Sequence, residues 1–136
     1  MAGETNLTRL LAGMKPRLLP GNFVFATLPP GAAFPAGIEA LMIFRESEGV
    51  TLILEEGEAR KAGMSGTFRS RMITLEIHSS LDAVGFLAAI TGRLAEAGMG
   101  VNPVSAFHHD HLFVPADRAE EALFILEQLA AEASGR

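Results

Sequence analysis

The order of secondary-structure patterns between residues 73 and 130 constrains the fold of this chain more than any other feature. Residues 73–77 alternate apolar and polar side chains, which is typical of a strand with one buried face. Ser79 and Asp82 have capping-box spacing, so we expect a helix to begin there and to run until Gly98. We expect its buried stripe to comprise Val84, Leu87, Ala88, Thr91, Leu94 and Ala95.

A hairpin and a second helix are expected to follow. Residues 101–107 and 111–114 have strand patterns, and the polar residues 108–110 are expected to form the turn between them. After Pro115, Asp117 and Glu120 have the spacing to cap a final helix. Its apolar stripe comprises Ala119, Ala122, Leu123, Leu126, Leu129 and Ala130. Both helices can therefore cover the same face of one sheet.

An internal repeat indicates two related modules. Residues 51–59 align with residues 111–119, which suggests a duplicated hairpin followed by a helix. The first half differs, because the prolines and glycine that follow the strand 23–28 cannot sustain a long helix. We expect modules at 1–67 and 68–136, joined through residues 60–68, with a helix at 7–14 and an edge strand at 16–19.

Composition excludes several classes of protein. The chain has 136 residues, no cysteine and a formal net charge of -5, which disfavours disulfide frameworks, thiolate catalysis and nucleic-acid binding. Although 49% of its residues are hydrophobic, no apolar stretch approaches the roughly 20 residues that span a membrane. No signal segment is evident, so we expect a cytoplasmic protein with no membrane partner.

Motifs for catalysis are also missing from the sequence. It contains no Gly-x-Ser-x-Gly elbow, phosphate loop, dinucleotide fingerprint or His-Glu-x-x-His. We therefore expect a protein that is not an enzyme, with no catalytic residues and no cofactor.

Three segments carry a resemblance to a known family. Residues 78–85, 94–95 and 98–102 look like the ACT-domain pattern, in which a loop ending in Val-Gly opens the first helix. Residues 109–117 are similar to the His-Asp-His-x-Phe-Val-Pro signature of small bacterial proteins made of two ACT-like halves. The resemblance to that family as a whole covers nearly the whole chain. It implies an α+β fold of two ferredoxin-like (βαββαβ) modules, with antiparallel sheets covered by helices on one face. The family is related to the regulatory ACT domains of aspartate kinase, so a name taken from that enzyme would describe ancestry rather than activity.

The resemblance also implies a function. ACT domains generally bind amino acids or other small metabolites where two such domains pack together, and they report binding to an enzyme. We therefore expect a non-catalytic sensor or regulator that binds an amino acid, forms a homodimer and acts on a metabolic enzyme. Two alternatives stay open: a scaffold that binds no ligand and forms ACT-type dimers through exposed sheet edges, and a metal-binding module.

The expected ligand site is the loop that precedes the first helix. Free backbone N–H groups at a helix start favour a carboxylate, and Asp82 could hold an ammonium group. Serine-sensing ACT domains use a loop histidine and a strand asparagine, which makes His78 and Asn102 the positions to carry over. The predicted ligand-binding residues are His78, Ser79, Ser80, Asp82, Ala83, Val84, Gly85 and Asn102.

Two weaker candidate sites are also present. Glu46 and Glu48 lie near one expected hairpin, where paired carboxylates could bind a cationic ligand, and Asp110 is a further acidic candidate. His109 and His111 would point to the same side of a strand, which makes them candidate metal ligands. A metal site there would need His78 or a second subunit to complete its ligand set.

Overall fold

The structure is a computed structural model that describes residue 3 and residues 5–135. The chain divides into two compact units. The central unit is Gly21–Ser70, and the terminal unit combines the residues up to Pro20 with those from Arg71 onward. The predicted division into modules 1–67 and 68–136 stays a prediction, because units defined by packing need not coincide with repeated modules.

The central unit is built on antiparallel strands. The elements are β2 (Phe23–Leu28), β3 (Met42–Glu46), β4 (Gly49–Glu55), α2 (Glu56–Lys61) and the first part of β5 (Thr67–Leu75). The strand order is β3-β4-β2-β5, and α2 contacts both β2 and β4. Apolar side chains of β2 and β4 form a small core with Ala59 of α2.

The terminal unit holds most of the helices. Its elements are α1 (Leu7–Gly13), β1 (Pro16–Leu18), the rest of β5, α3 (Phe86–Glu96), β6 (Asn102–Ser105), β7 (Asp110–Pro115) and α4 (Ala119–Ala133). β1 pairs with β5, which lies beside β7, and β7 pairs with β6. The predicted α+β class is confirmed, and the predicted helix at 7–14 and strand at 16–19 are each correct to within one residue.

One face of the terminal unit's sheet carries the main core. Alternate residues on β5 and β7 point to the same side of the sheet, and they pack against α1, α3 and α4. The fully buried members of this core are Leu10, Ile73, Leu75, Ile90, Leu94, Leu112, Val114, Ala122 and Leu126. The stripe predicted for α4 is confirmed apart from Leu123, which is half-buried.

The predicted start of the first long helix is wrong. Helix α3 begins at Phe86, and its N-cap is Gly85, whose φ of 91° lies in the left-handed region that glycine tolerates best. Ser79 and Asp82 do not form a capping box. The hydroxyl of Ser80 instead accepts a hydrogen bond from the Asp82 N–H at 3.1 Å, which closes a tight local turn before the helix.

The buried face of α3 also differs from the prediction. Phe86, Ile90 and Leu94 are its buried residues, whereas Val84 lies outside the helix and is 82% exposed. Of the predicted stripe, Leu94 alone is fully buried in the described structure. The error follows from counting the stripe from Val84, which lies outside the helix, so that the expected stripe is centred beside the face that Phe86, Ile90 and Leu94 share.

Two further boundaries require correction. A 3-10 turn at Ala116–Arg118 precedes α4, and no side chain caps that helix, so the predicted Asp117 cap is wrong. Strand β5 begins at Thr67, six residues before the predicted strand. Phe68 adopts a left-handed φ of 55° at a register shift opposite β2, so the regular alternation is interrupted in this first part of the strand. In the part of the chain that the structure describes, no helix is long and apolar enough to cross a bilayer.

Candidate ligand-binding site

A small pocket lies in the terminal unit between the loop after β5 and the start of α3. Its volume is about 170 Å³, which is below the roughly 300 Å³ where typical ligand pockets begin. The lining residues are Ser79, Ser80, Leu81, Ala83, Gly85, Phe86, Leu87, Ala88, Ser105 and Asp110. A cavity of this size suits a small metabolite rather than a nucleotide.

Asp110 is the acidic group of this pocket. It is the first residue of β7 and shares a sheet face with Leu112 and Val114, which places it on the side covered by the helices. Its side chain is only 7% exposed. Ser105 on β6 donates a hydrogen bond to Oδ1 at 2.6 Å, and Ser79 donates to Oδ2 at 3.1 Å.

The carboxylate of Asp110 has no cationic partner among the described residues. Each ion pair that the structure describes involves other carboxylates. A carboxylate offers about four acceptor sites, so two remain after the bonds from Ser79 and Ser105. Burying a carboxylate without a positive partner costs desolvation free energy, so a cation bound at this pocket wall would be stabilised.

The start of α3 provides the opposite polarity. Phe86, Leu87 and Ala88 belong to its first turn, whose N–H groups have no carbonyl of the helix to bind. No side chain caps this end and no acidic residue lies in the first turn. These N–H groups and the positive end of the helix dipole favour an anion at the pocket wall.

The structure brings half of the predicted ligand residues to the pocket. Ser79, Ser80, Ala83 and Gly85 line it, together with Asp110, which was predicted only as a weaker candidate. His78, Asp82, Val84 and Asn102 are not among its lining residues.

Of these four, His78 and Asn102 were carried over from the resemblance. The ring of His78 packs beside Phe107 at 6.4 Å and His108 at 6.2 Å between centroids. Asn102 is exposed on β6, opposite Phe113 of β7. Their roles in binding stay predictions.

The acidic residues of the first hairpin lie in the central unit and are exposed. Glu46 accepts a hydrogen bond from the Thr51 hydroxyl, and Glu48 accepts one from Ser47 at 3.0 Å. Both carboxylates therefore have partners on their own hairpin.

Of the two candidate metal ligands, His111 lies on β7 next to Asp110 and His109 directly precedes that strand. The rings of His109 and His111 are 6.4 Å apart, and the described residues contain no group of three side chains able to hold a metal ion. Nδ1 of His111 lies 2.9 Å from the Thr74 hydroxyl. Burial lowers the pKa of His111, and the nearby His109 lowers it further, against a smaller upward effect of Asp110.

Sequence reasoning missed Ser105 and the first turn of α3 as parts of the pocket. Ser105 faces Asp110 across the hairpin, so the correct strand register would have paired them. The position of Asp110 two residues before Leu112 and four before Val114 was a usable signal, because this spacing places an acidic group on an apolar face of a strand.

Models of the ACT domain match almost the entire chain, one over residues 2–71 and another over residues 67–128. A protein of unknown function from Vibrio cholerae, described as a possible transport protein, is 39% identical with a TM-score of 0.82, and the match covers 91% of this chain and 95% of that one. The chain therefore belongs to the ACT-domain family. Its two matches are in tandem, as the repeat predicted.

More distant solved structures share the fold. A protein from Agrobacterium tumefaciens has 21% identity and a TM-score of 0.73, covering 86% of this chain and 89% of that one. The ligand-free regulatory subunit of aspartate kinase from Thermus thermophilus has 14% identity and a TM-score of 0.64, covering 88% and 97%. These likenesses confirm the predicted ferredoxin-like ACT fold. No curated protein matches the chain significantly.

Proposed function

We propose that the pocket beside Asp110 binds a small amino acid and that the protein is a non-catalytic sensor or regulator. The buried Asp110 carboxylate carries the proposal, because no cation among the described residues pairs with it. An ammonium group in the pocket would supply the missing positive charge and a hydrogen-bond donor.

The start of α3, which also lines the pocket, suits the other end of the same ligand. The uncapped N–H groups at the start of α3 can donate hydrogen bonds to a carboxylate, so the pocket offers a site for each charge of a zwitterion. The volume of about 170 Å³ leaves room for a short side chain only. Membership of the ACT family supports the same class of ligand.

Binding would regulate by stabilising one state of the protein over another. A ligand shifts such an equilibrium only by the difference in its affinity for the two states. The proposal includes a homodimer as the regulated assembly and a metabolic enzyme as the partner that responds to it.

A thermal-melt screen of the chelator-treated protein against the twenty amino acids tests this function. A ligand that binds only the folded state at about 100 times its Kd stabilises by roughly 2.7 kcal/mol. We expect a clear rise of the midpoint with one small amino acid, and none with its amide or its deaminated acid. A flat panel would overturn the proposal and favour the scaffold that binds no ligand.

Single substitutions test which residues are needed for the ligand-induced rise of the melting midpoint. Asp110→Asn should abolish the shift, because a neutral amide no longer attracts an ammonium group. His78→Ala and Asn102→Ala test the positions taken from the family resemblance, and Glu48→Gln in the central unit is the matched control. A shift that survives in Asp110→Asn would place the ligand elsewhere. A rise with a divalent metal alone would instead support the metal-binding alternative.

A further inference from the structure

Gly3 lies against the backbone of the loop that borders the pocket. This pocket loop comprises residues 79–85, which immediately precede α3. A Cβ atom added at Gly3 would lie 2.5 Å from the carbonyl oxygen of His78. The same atom would lie 2.7 Å from the carbonyl carbon of Ser79 and 2.8 Å from the nitrogen of Ser80. Backbone atoms cannot rotate away as a flexible side chain can, so this contact admits no side chain at residue 3.

A second contact lies at the other end of the pocket loop, where α3 begins. Leu7 is the first residue of α1, and its Cδ2 atom would lie 3.5 Å from a Cβ atom added at Gly85, the N-cap of α3. Leu7 therefore lies beside the backbone that leads into the free N–H groups of the pocket. Helix α1 is itself well anchored, because its Leu10 is fully buried in the main core and the helix contacts both α3 and α4.

Between these two contacts the pocket loop has little packing. Leu81 is 68% exposed and Val84 is 82% exposed. The Ala83 N–H donates a hydrogen bond to the Ser80 carbonyl at 3.0 Å, which joins two residues of the loop to each other. Such local bonds fix the shape of a loop but not its position on the protein. The position of the pocket loop therefore depends on the contacts at its two ends.

We propose that Gly3 and Leu7 are positioning residues, which hold the pocket loop in the conformation that forms the pocket. Gly3 sets the place of the Ser79 backbone, and with it the hydroxyl that donates to Asp110. Leu7 keeps Gly85 and the first turn of α3 at the same cavity. Neither Gly3 nor Leu7 is among the lining residues, so both act on a ligand only through the loop. The inference rests on the proposed function, because it concerns the same pocket.

Hydrogen exchange followed by mass spectrometry tests this role in the protein without any amino acid. Gly3→Ala adds only the Cβ atom that the loop backbone excludes, so either the loop moves or residue 3 moves away from it. Leu7→Ala removes the contact at Gly85 and keeps a good helix former in α1. Gly100→Ala is the matched control, because Gly100 lies in the same unit and an added Cβ atom there would meet no atom within 4 Å.

The expected effect is confined to the pocket loop. Amide hydrogens of residues 79–85 should exchange about tenfold faster or more in Gly3→Ala and in Leu7→Ala. They should exchange at the rate of the unsubstituted protein in Gly100→Ala, and exchange in β7 and α4 should stay unchanged in all three variants. Unchanged exchange of the loop in Gly3→Ala and Leu7→Ala would overturn the proposal. An equally large increase in β7 and α4 would also overturn it, because the two residues would then support the fold as a whole.

The melt panel of the twenty amino acids, repeated on the same variants, tests the consequence for binding. An amino acid that raises the midpoint of the unsubstituted protein should need an about tenfold higher concentration for the same rise in Gly3→Ala and in Leu7→Ala. The same concentration dependence in both variants and in the unsubstituted protein would overturn the positioning role. A flat panel for the unsubstituted protein would refute the proposed function, and the exchange rates alone would then decide whether Gly3 and Leu7 hold the loop.

Discussion

Glu58 and Arg118 occupy equivalent positions of the internal repeat, and each side chain hydrogen-bonds to the backbone of the segment that precedes a hairpin. The two side chains carry opposite charges. Glu58 on α2 accepts a hydrogen bond from the Glu39 N–H at 2.9 Å. Arg118 donates to the carbonyl oxygens of Ala97 at 2.9 Å and Gly98 at 3.2 Å. The charge differs because a helix C-terminus, with its free carbonyls, precedes the second hairpin only.

Arg118 is expected to be more important for stability than an ordinary surface arginine. It also holds Glu121 through two hydrogen bonds of 2.9 and 2.8 Å, so its guanidinium joins the end of α3 to the start of α4. Arg118→Ala should lower the melting midpoint, and Arg118→Lys should recover only part of the loss, because an ammonium group cannot match this geometry. Arg60→Ala, whose side chain is 73% exposed, is the control for thermal melts followed by circular dichroism. Equal midpoints for the Arg118→Ala and Arg60→Ala variants would contradict this role.

Asp110 is expected to reduce stability in the absence of ligand. Asp110→Asn removes a buried charge, while the amide can still bond to the hydroxyls of Ser79 and Ser105. The free energy of unfolding should therefore stay unchanged or rise by about 1 kcal/mol in urea denaturation. Asp82→Asn in the exposed turn should change it by no more than about 0.5 kcal/mol. A loss of more than about 1 kcal/mol in Asp110→Asn would mean that the carboxylate serves the fold rather than a ligand.

His111 should make the protein less stable in mildly acidic solution. Its pKa in the folded state is lowered below the ordinary value of 6.5 by burial first, so the unfolded chain binds the proton more readily. The stabilisation by the neutral ring is complete above pH 6.5 and is lost as the pH falls through the folded pKa. His111→Gln should flatten this part of the curve of unfolding free energy against pH, which urea denaturation at a series of pH values measures. A variant curve identical to that of the unsubstituted protein would contradict the assignment.

Two glycines at α3 should respond to alanine in opposite directions. Gly92 lies inside the helix and Gly98 lies just beyond it, and an added Cβ would meet no atom within 4 Å at either position. Gly92→Ala should stabilise by about 0.5–1 kcal/mol through helix propensity. Gly98→Ala should destabilise by about 1 kcal/mol or more, because the φ of 72° at Gly98 is strained for alanine. Urea unfolding measures both changes in the free energy of unfolding. Opposite signs would show that the backbone conformation, and not the space for a Cβ atom, determines the effect of alanine at these positions.

Local patterns predicted the regular elements well. The strand at 23–28 has its predicted bounds, and the apolar stripe of α4 emerged from helical spacing alone. The start of α3 was missed because Ser79 and Asp82 match a capping box in sequence. The hydroxyl of Ser79 instead bonds to Asp110, a residue 31 positions away. No local pattern can reveal a partner that only the folded sheet brings close.

The predicted ligand-binding site stays a prediction, and only part of its residues line the pocket. The loop from Ser79 to Gly85 does border the pocket, because a loop between a strand and a helix exposes the helix N-terminus. Asp110 was judged a turn residue from its polar neighbours, although it begins a buried strand. Its importance depends on burial and on the absence of an ion-pair partner among the described residues, both of which are tertiary properties.

The discontinuity of the terminal unit has a consequence for biosynthesis. Gly21–Ser70 is one uninterrupted stretch, so the ribosome releases every residue of the central unit before α4 has been made. Helix α1 packs against α4 and β1 pairs with β5, so α1 and β1 cannot make these contacts until the later elements have been synthesised. Contacts between residues this distant in sequence slow folding. The chain must lose conformational entropy to close the long intervening loop before the contacts can stabilise it. We therefore expect the central unit to fold during translation and the terminal unit to fold only after α4 has left the ribosome.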